Sequence, residues 1–186
     1  MHRKLYVLVY PSRLFAAHWS FWLPYPGPDA ARDADTGDRV HVTGDRLTGF
    51  AYEYLRDYSV RDDDRHPNAF PIGLLSETHV HVSKAEEEHG DGDQVTVAAA
   101  GAVSALDEAC RAVPAPGPSL NKVKPGGGGG AEGAPRGPPK RAVVRDCQWW
   151  IKEVTAHLVK TGILLPLGEG QEGESPNTRV EGLPRH

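Results

Sequence analysis

The chain has 186 residues, enough for one domain with its own core, and a formal net charge of −4 with a sequence pI near 6.1. Without a basic field nucleic acid is not an expected partner, and no apolar run approaches the roughly 18 residues that a membrane span needs. Two cysteines, Cys110 and Cys147, are too few for a disulfide framework and are expected as free thiols in a reducing, cytoplasmic setting.

The N-terminal MHRKLYVLVYPSR has the basic-then-apolar order of an export signal, but its apolar part is only LYVLVY before Pro11. It reads as a first, central strand. AHWSFWLP alternates, with Trp19 and Phe21 on one face and His18, Ser20 and Trp22 on the other. PYPGPDAARDADTGD is turn-forming and reads as an exposed loop. RVHVTG is a short strand carrying His41, GFAYEYLRDYSV an aromatic strand, and DDDRHPN a turn. FPIGLLSETHVHVS is strand-like from Ile72 to Leu75 and again from Thr78 to Val82, and KAEEEHGDGDQ is a solvated acidic loop.

A helix is expected by Ser104, with Ser104 and Asp107 as a variant capping box and Pro114 as its end. Cys110 lies at helical spacing with Val103, Leu106 and Val113, as a packed apolar thiol does. From Pro114 to Arg141, 15 of 28 residues are Gly or Pro, which predicts a flexible insert. VVRDCQWWIKEVTAHLVKTG is the clearest helix: Val143, Cys147, Ile151, Val154 and Leu158 share a face, and Gly162 suits its end. ILLPL follows, and the polar tail from Gly168 is expected to be disordered. The resulting expectation is one α+β domain over residues 1–167, an antiparallel sheet packed on helices, with the insert at 114–141 and a tail at 168–186.

Asp146 sits at or just inside the start of the late helix, so Cys147 falls in its first turns. Unpaired N–H groups and the positive end of the helix dipole favour a thiolate there and offer an oxyanion site. The alternative is that Cys147, on the apolar face, is simply packed. A nucleophile needs an imidazole base and a group that orients it. His18, His41 and the His79-x-His81 pair are the histidine settings that matter; His66 and His157 read as structural. On a strand His79 and His81 share a face, and with His89, Asp91 and Asp93 they are the ingredients of a metal site. Two strand ligands are too few for a structural zinc, so no metal and no cofactor is expected.

The order of motifs narrows the choice. His18-Trp19 in an early strand, His41 in VHVTG on a later one, and Asp146-Cys147-Gln148-Trp149-Trp150-Ile151 heading a late helix resemble the circularly permuted papain-like group. That group includes the lecithin-retinol acyltransferase-like and NlpC-type proteins; its permuted members place histidine first and cysteine last. The arrangement is most similar to a set of small fungal proteins of unknown function, over roughly Lys4 to Leu165. His18 and His41 lie 23 residues apart, which makes the loop from Pro24 to Asp38 an insertion, and Asp146 stands where asparagine is usual.

The resemblance implies a permuted papain-like α+β fold and a thiol hydrolase or acyltransferase acting on an amide or ester. Cys147 would form the thioester, His18 would be the base, and His41 would orient it. Trp19, Trp150 and Tyr10 would line the substrate, with Tyr6 or Tyr10 as a candidate hydroxyl donor. The substrate would be a small molecule, lipid or peptide. Two other readings stand beside this one: an inactive binding or scaffold protein on the same fold, and a metal-binding protein through His79 and His81.

Overall fold

A computed structural model of the chain describes residues 1–26, 35–80, 102, 104–119, 144–168 and 173–186. The β-rich N-terminal half forms five strands: β1 (His2–Tyr10), β2 (His18–Pro24), β3 (Thr36–Asp45), β4 (Gly49–Ser59) and β5 (Asn68–Ser76). With a two-residue strand β6 (Leu164–Leu165) they make one antiparallel sheet in the order β4-β3-β2-β1-β5-β6. The helices are α1 (Ala105–Arg111), α2 (Cys147–Lys160) and α3 (Pro176–Glu181). The architecture is mixed α+β, with a six-stranded sheet and few helices.

Strand alternation sorts the side chains. Leu5, Val7 and Val9 of β1, Trp19, Phe21 and Leu23 of β2, and Val40 and Val42 of β3 form the main core. Trp150, Ile151, Val154 and Leu158 of α2 pack into that core and are wholly buried. Burial of aliphatic side chains of this size contributes about 1.5–3 kcal/mol each, so α2 is held by its apolar face. The opposite sheet face carries a smaller cluster of Leu8, Tyr10, Trp22 and Tyr58.

Both predicted caps form. Ser104 accepts from the Asp107 N–H and Asp146 from the Trp149 N–H, and Gly162 follows α2 with φ +73°. The β3–β4 turn depends on Gly44, at φ +138°, where an added Cβ would lie 2.2 Å from the Gly49 carbonyl oxygen. Asp45 closes that turn by accepting from the Leu47 and Thr48 N–H groups at 2.6 and 2.8 Å.

Three expectations need correction. The described part of the second strand-like stretch, Thr78 to Val80, does not extend β5: Glu77–His79 is a 3₁₀ turn started by Ser76, and His81 and Val82 lie outside the described residues. Ser76 offers its hydroxyl to the Thr78 N–H, a local bond that competes with the ladder. The tail from Gly168, expected to be disordered, carries α3. Its polar sequence hides an anchor, since Pro176, Val180 and Leu183 are buried and Ser175 caps the helix. The first residues of the insert are also ordered: Phe50 donates its N–H to Pro116 O at 2.8 Å, and Ser119 donates its own to Arg46 O at 2.9 Å. Residues 120–143, and with them Val143, lie outside the described residues, as do 27–34 of the predicted exposed loop.

These contacts locate the essential part of the insert. Replacing residues 120–139 with a short Gly-Ser linker should shift calorimetric melting by no more than about 3 °C, because loop length costs only about 0.6 kcal/mol per doubling. Extending the replacement back to Pro116 removes the bonds to Phe50 and Arg46 and should lower melting further. A cooperative loss of fold in the shorter replacement would contradict this.

Candidate active site

Asp146 sets the position of Cys147. Its carboxylate caps α2 at the Trp149 N–H (3.0 Å) and accepts from Arg46 Nη2 at 2.6 Å, so the helix begins at Cys147. The sulfur borders the core, with Cys147 only 7% exposed. Burial, joined by the charge of Asp146, pushes its pKa up to about 11, against backbone N–H groups of Trp19, Gln148 and Cys147 that face the sulfur and pull it down. The expected depressed thiol pKa is therefore corrected: the resting group is a neutral thiol.

On the sheet, His41 lies directly across from Glu53 in the β3–β4 ladder, and Nε2 of His41 meets Oε2 of Glu53 at 2.5 Å. Nδ1 of His41 lies 3.0 Å from Nε2 of His18, with the two rings edge to face at 79°. This chain determines the tautomers. A carboxylate only accepts, so neutral His41 carries its proton on Nε2 and presents a bare Nδ1. His18 must then donate from Nε2, which leaves its Nδ1 as the lone pair available to a thiol.

Burial, followed by the charge of Arg39, lowers His18 to about 4 and His41 to about 2. Arg39 is itself buried, donates Nε to Ser20 Oγ at 3.2 Å, and stacks over the rings of Tyr10 and Tyr58. The Glu53 contact needs no positive charge on His41, because it accepts a proton that the neutral ring already holds. Both imidazoles are therefore neutral at rest.

His18 and Cys147 approach from different sides. Alternation puts His18, Ser20 and Trp22 on the sheet face opposite α2, and Tyr10, the cross-strand partner of His18, lies in the second cluster. They meet because the β2–β3 ladder runs only from Phe21↔Val40 to Pro24↔Gly37. Beyond Phe21 the strands are unladdered, and the head of α2 reaches this end of the sheet. A cavity of about 630 Å³ opens there, lined by both His18 and Cys147. Its wall also includes Leu14, Phe15 and Ala16 from the β1–β2 loop, Leu47 from the β3–β4 turn, and Phe50. No hydrogen bond joins the sulfur to either imidazole among the described residues, and unliganded sites are often looser than reacting ones.

Of the residues singled out in the sequence, Cys147 and His18 line one cavity, and His41 contacts His18 behind it. Trp19, Trp150 and Tyr10, expected to line substrate, do not reach the cavity. Trp19 and Trp150 are wholly buried core residues whose indole N–H groups donate to Pro184 O and Val113 O. Tyr10 is 4% exposed, and its hydroxyl is taken by Tyr58 and Ser20. No cluster of metal-ligating side chains occurs among the described residues, and His89, Asp91 and Asp93 lie outside them. Glu53 was missed. It is one acid in an aromatic strand, and only the cross-strand register shows that it faces His41.

These features define an α+β protein with a thiol, two linked imidazoles and a carboxylate at one end of an antiparallel sheet. The chain belongs to the DUF6540 family, a family of unknown function, whose model matches residues 5–165. No curated protein and no solved structure matches it. No helix among the described residues is long and apolar enough to cross a membrane.

The buried relay has a thermodynamic signature. In the unfolded chain both histidines bind protons near pH 6.5, while the fold holds them at about 4 and about 2. Stability is therefore full above about pH 6.5 and falls as the pH drops below it, by up to about 1.4 kcal/mol per pH unit per histidine. Urea titrations of His41→Gln should show a shallower loss between pH 6.5 and 4 than the native chain. Parallel slopes would contradict a buried neutral pair.

Proposed function

We propose that the protein is a thiol hydrolase or acyltransferase that opens an amide or ester through a thioester on Cys147, on a fold akin to the circularly permuted papain-like group. The observation that carries this reading is the chain Glu53–His41–His18, which ends beside Cys147 in one cavity. A packed structural cysteine has no need of a base whose tautomer is set two residues away.

The chemistry follows from the protonation states. His18 Nδ1 takes the thiol proton as sulfur attacks the carbonyl carbon, and the π pair moves onto oxygen. The N–H groups of Cys147, Gln148 and Trp19, which face the sulfur at rest, are the donors for this oxyanion. Collapse re-forms the carbonyl and breaks the bond to the leaving amine or alkoxide, which takes the proton from His18. Water or an amine, deprotonated by His18, then attacks the thioester and releases the thiol. His41 and Glu53 accept part of the positive charge that His18 gains.

The cavity favours an uncharged, apolar acyl group. Leu14, Phe15 and Leu47 are 84%, 75% and 48% exposed at its rim. Its charged side chains are occupied: Arg46 with Asp146, and Asp45 with Leu47 and Thr48. The competing reading, a scaffold with a silent cysteine, draws on the raised thiol pKa and low exposure of Cys147.

A p-nitrophenyl ester series from acetate to octanoate separates the two. The proposal expects a burst of nitrophenol with an acyl adduct mapped to Cys147, and faster acylation by butyrate or longer chains than by acetate. Cys147→Ala should abolish the burst, and His18→Ala should slow acylation by about 10²–10⁴-fold. No adduct with any ester, while the chain remains folded, would favour the scaffold.

A further inference from the structure

The C-terminal segment follows the 5–165 span matched by the family, yet it is bonded to both halves of the site. The amide of Gln148, the residue after Cys147, donates to Ala17 O at 2.8 Å and to Arg185 O at 3.1 Å. Ala17, the residue before His18, donates its own N–H to Arg185 O at 2.9 Å. The indole of Trp19, the residue after His18, donates to Pro184 O at 3.1 Å. Backbone carbonyls of the tail thus meet the flanking residues of both the base and the nucleophile.

The tail is itself anchored. Val180 and Leu183 are buried in the main core, and Glu181 accepts from Lys152 of α2 and from Arg185. Gln148 is 8% exposed, so its two donor bonds form out of bulk water, where an unmet donor costs about 1–3 kcal/mol. The bonds to Arg185 and Pro184 tie the tail to α2 and to the start of β2, two elements that no ladder joins.

We propose that residues 183–185 act as a latch, with Gln148 as its positioning residue, that sets the placement of Cys147 relative to His18. The latch rests on the Cys147–His18 reading above and extends it, since it makes base-assisted reactivity depend on residues remote from the acyl group. A chain that lacks the latch keeps its sheet and helices but loses the coupling between thiol and imidazole.

The test is a double-mutant cycle read by alkylation of Cys147 with iodoacetamide at pH 7, site-resolved by mass spectrometry. The readout is the ratio of rates with and without His18→Ala, measured in the full chain, in a chain ending at Gly182, and in Gln148→Met. Methionine keeps the volume and removes both donor bonds, so it serves if the shortened chain does not fold. The latch predicts a ratio of at least about tenfold in the full chain, collapsing toward one in the shortened chain and in Gln148→Met. A ratio that stays high in Gln148→Met overturns the latch and leaves the Cys147–His18 reading intact. A ratio near one in the full chain overturns both.

Discussion

The structure depends on where the ladder between β2 and β3 stops. Alternation along β2 commits Trp19 and Phe21 to the core under α2 and sends His18 and Ser20 to the other face. A continuous ladder would keep Cys147 of α2 and the imidazoles of the sheet on opposite faces. Pairing ends at Phe21↔Val40, and His18 and Cys147 reach one cavity just past that point. In place of a ladder, the 3.0 Å contact between His18 and His41 spans the two strands. The β3–β4 pairing continues to Asp45↔Gly49, so β3 keeps His41 in register with Glu53 while β2 is released.

Electrostatics decides what this cavity does at rest. Burial raises the thiol pKa and lowers that of His18, so the neutral pair is favoured over a thiolate–imidazolium pair at rest. In the proposed reaction, proton transfer would accompany attack on the substrate, with the developing oxyanion held by N–H groups at the head of α2. The same burial that makes the ion pair costly strengthens those N–H dipoles once charge develops. Arg39, stacked on Tyr10 behind the relay, adds to the preference for neutral imidazoles.

Local signals were legible and long-range ones were not. The strand alternation of AHWSFWLP, the Ser104 and Asp146 caps and Gly162 after α2 could be read from residue type and spacing, while the grouping of Cys147, His18 and His41 rested on the resemblance in motif order. Trp19 and Trp150 were assigned to substrate because they neighbour the motifs. One residue along a strand reverses the face of Trp19, and Trp150, on the same helix face as Cys147, is buried in the core with its indole bonded to Val113 O, so sequence adjacency misplaced them. Glu53 was hidden because a cross-strand partner has no sequence spacing. The tail was hidden because three buried anchors, Pro176, Val180 and Leu183, are too sparse to register as periodicity. His79 fell in a 3₁₀ turn because Ser76 diverts the backbone locally, which no alternation count detects.

The central claim is that Glu53 fixes two neutral tautomers in series, leaving Nδ1 of His18 bare for the thiol. Long-range ¹H–¹⁵N correlation spectra of the imidazoles at pH 7, assigned with His18 and His41 single variants, read this directly. The account predicts that both rings are neutral with the proton on Nε2, and that Glu53→Gln disturbs the pattern of His41 and, through it, that of His18. A protonated Nδ1 on His18, or a doubly protonated ring at either position, would contradict it.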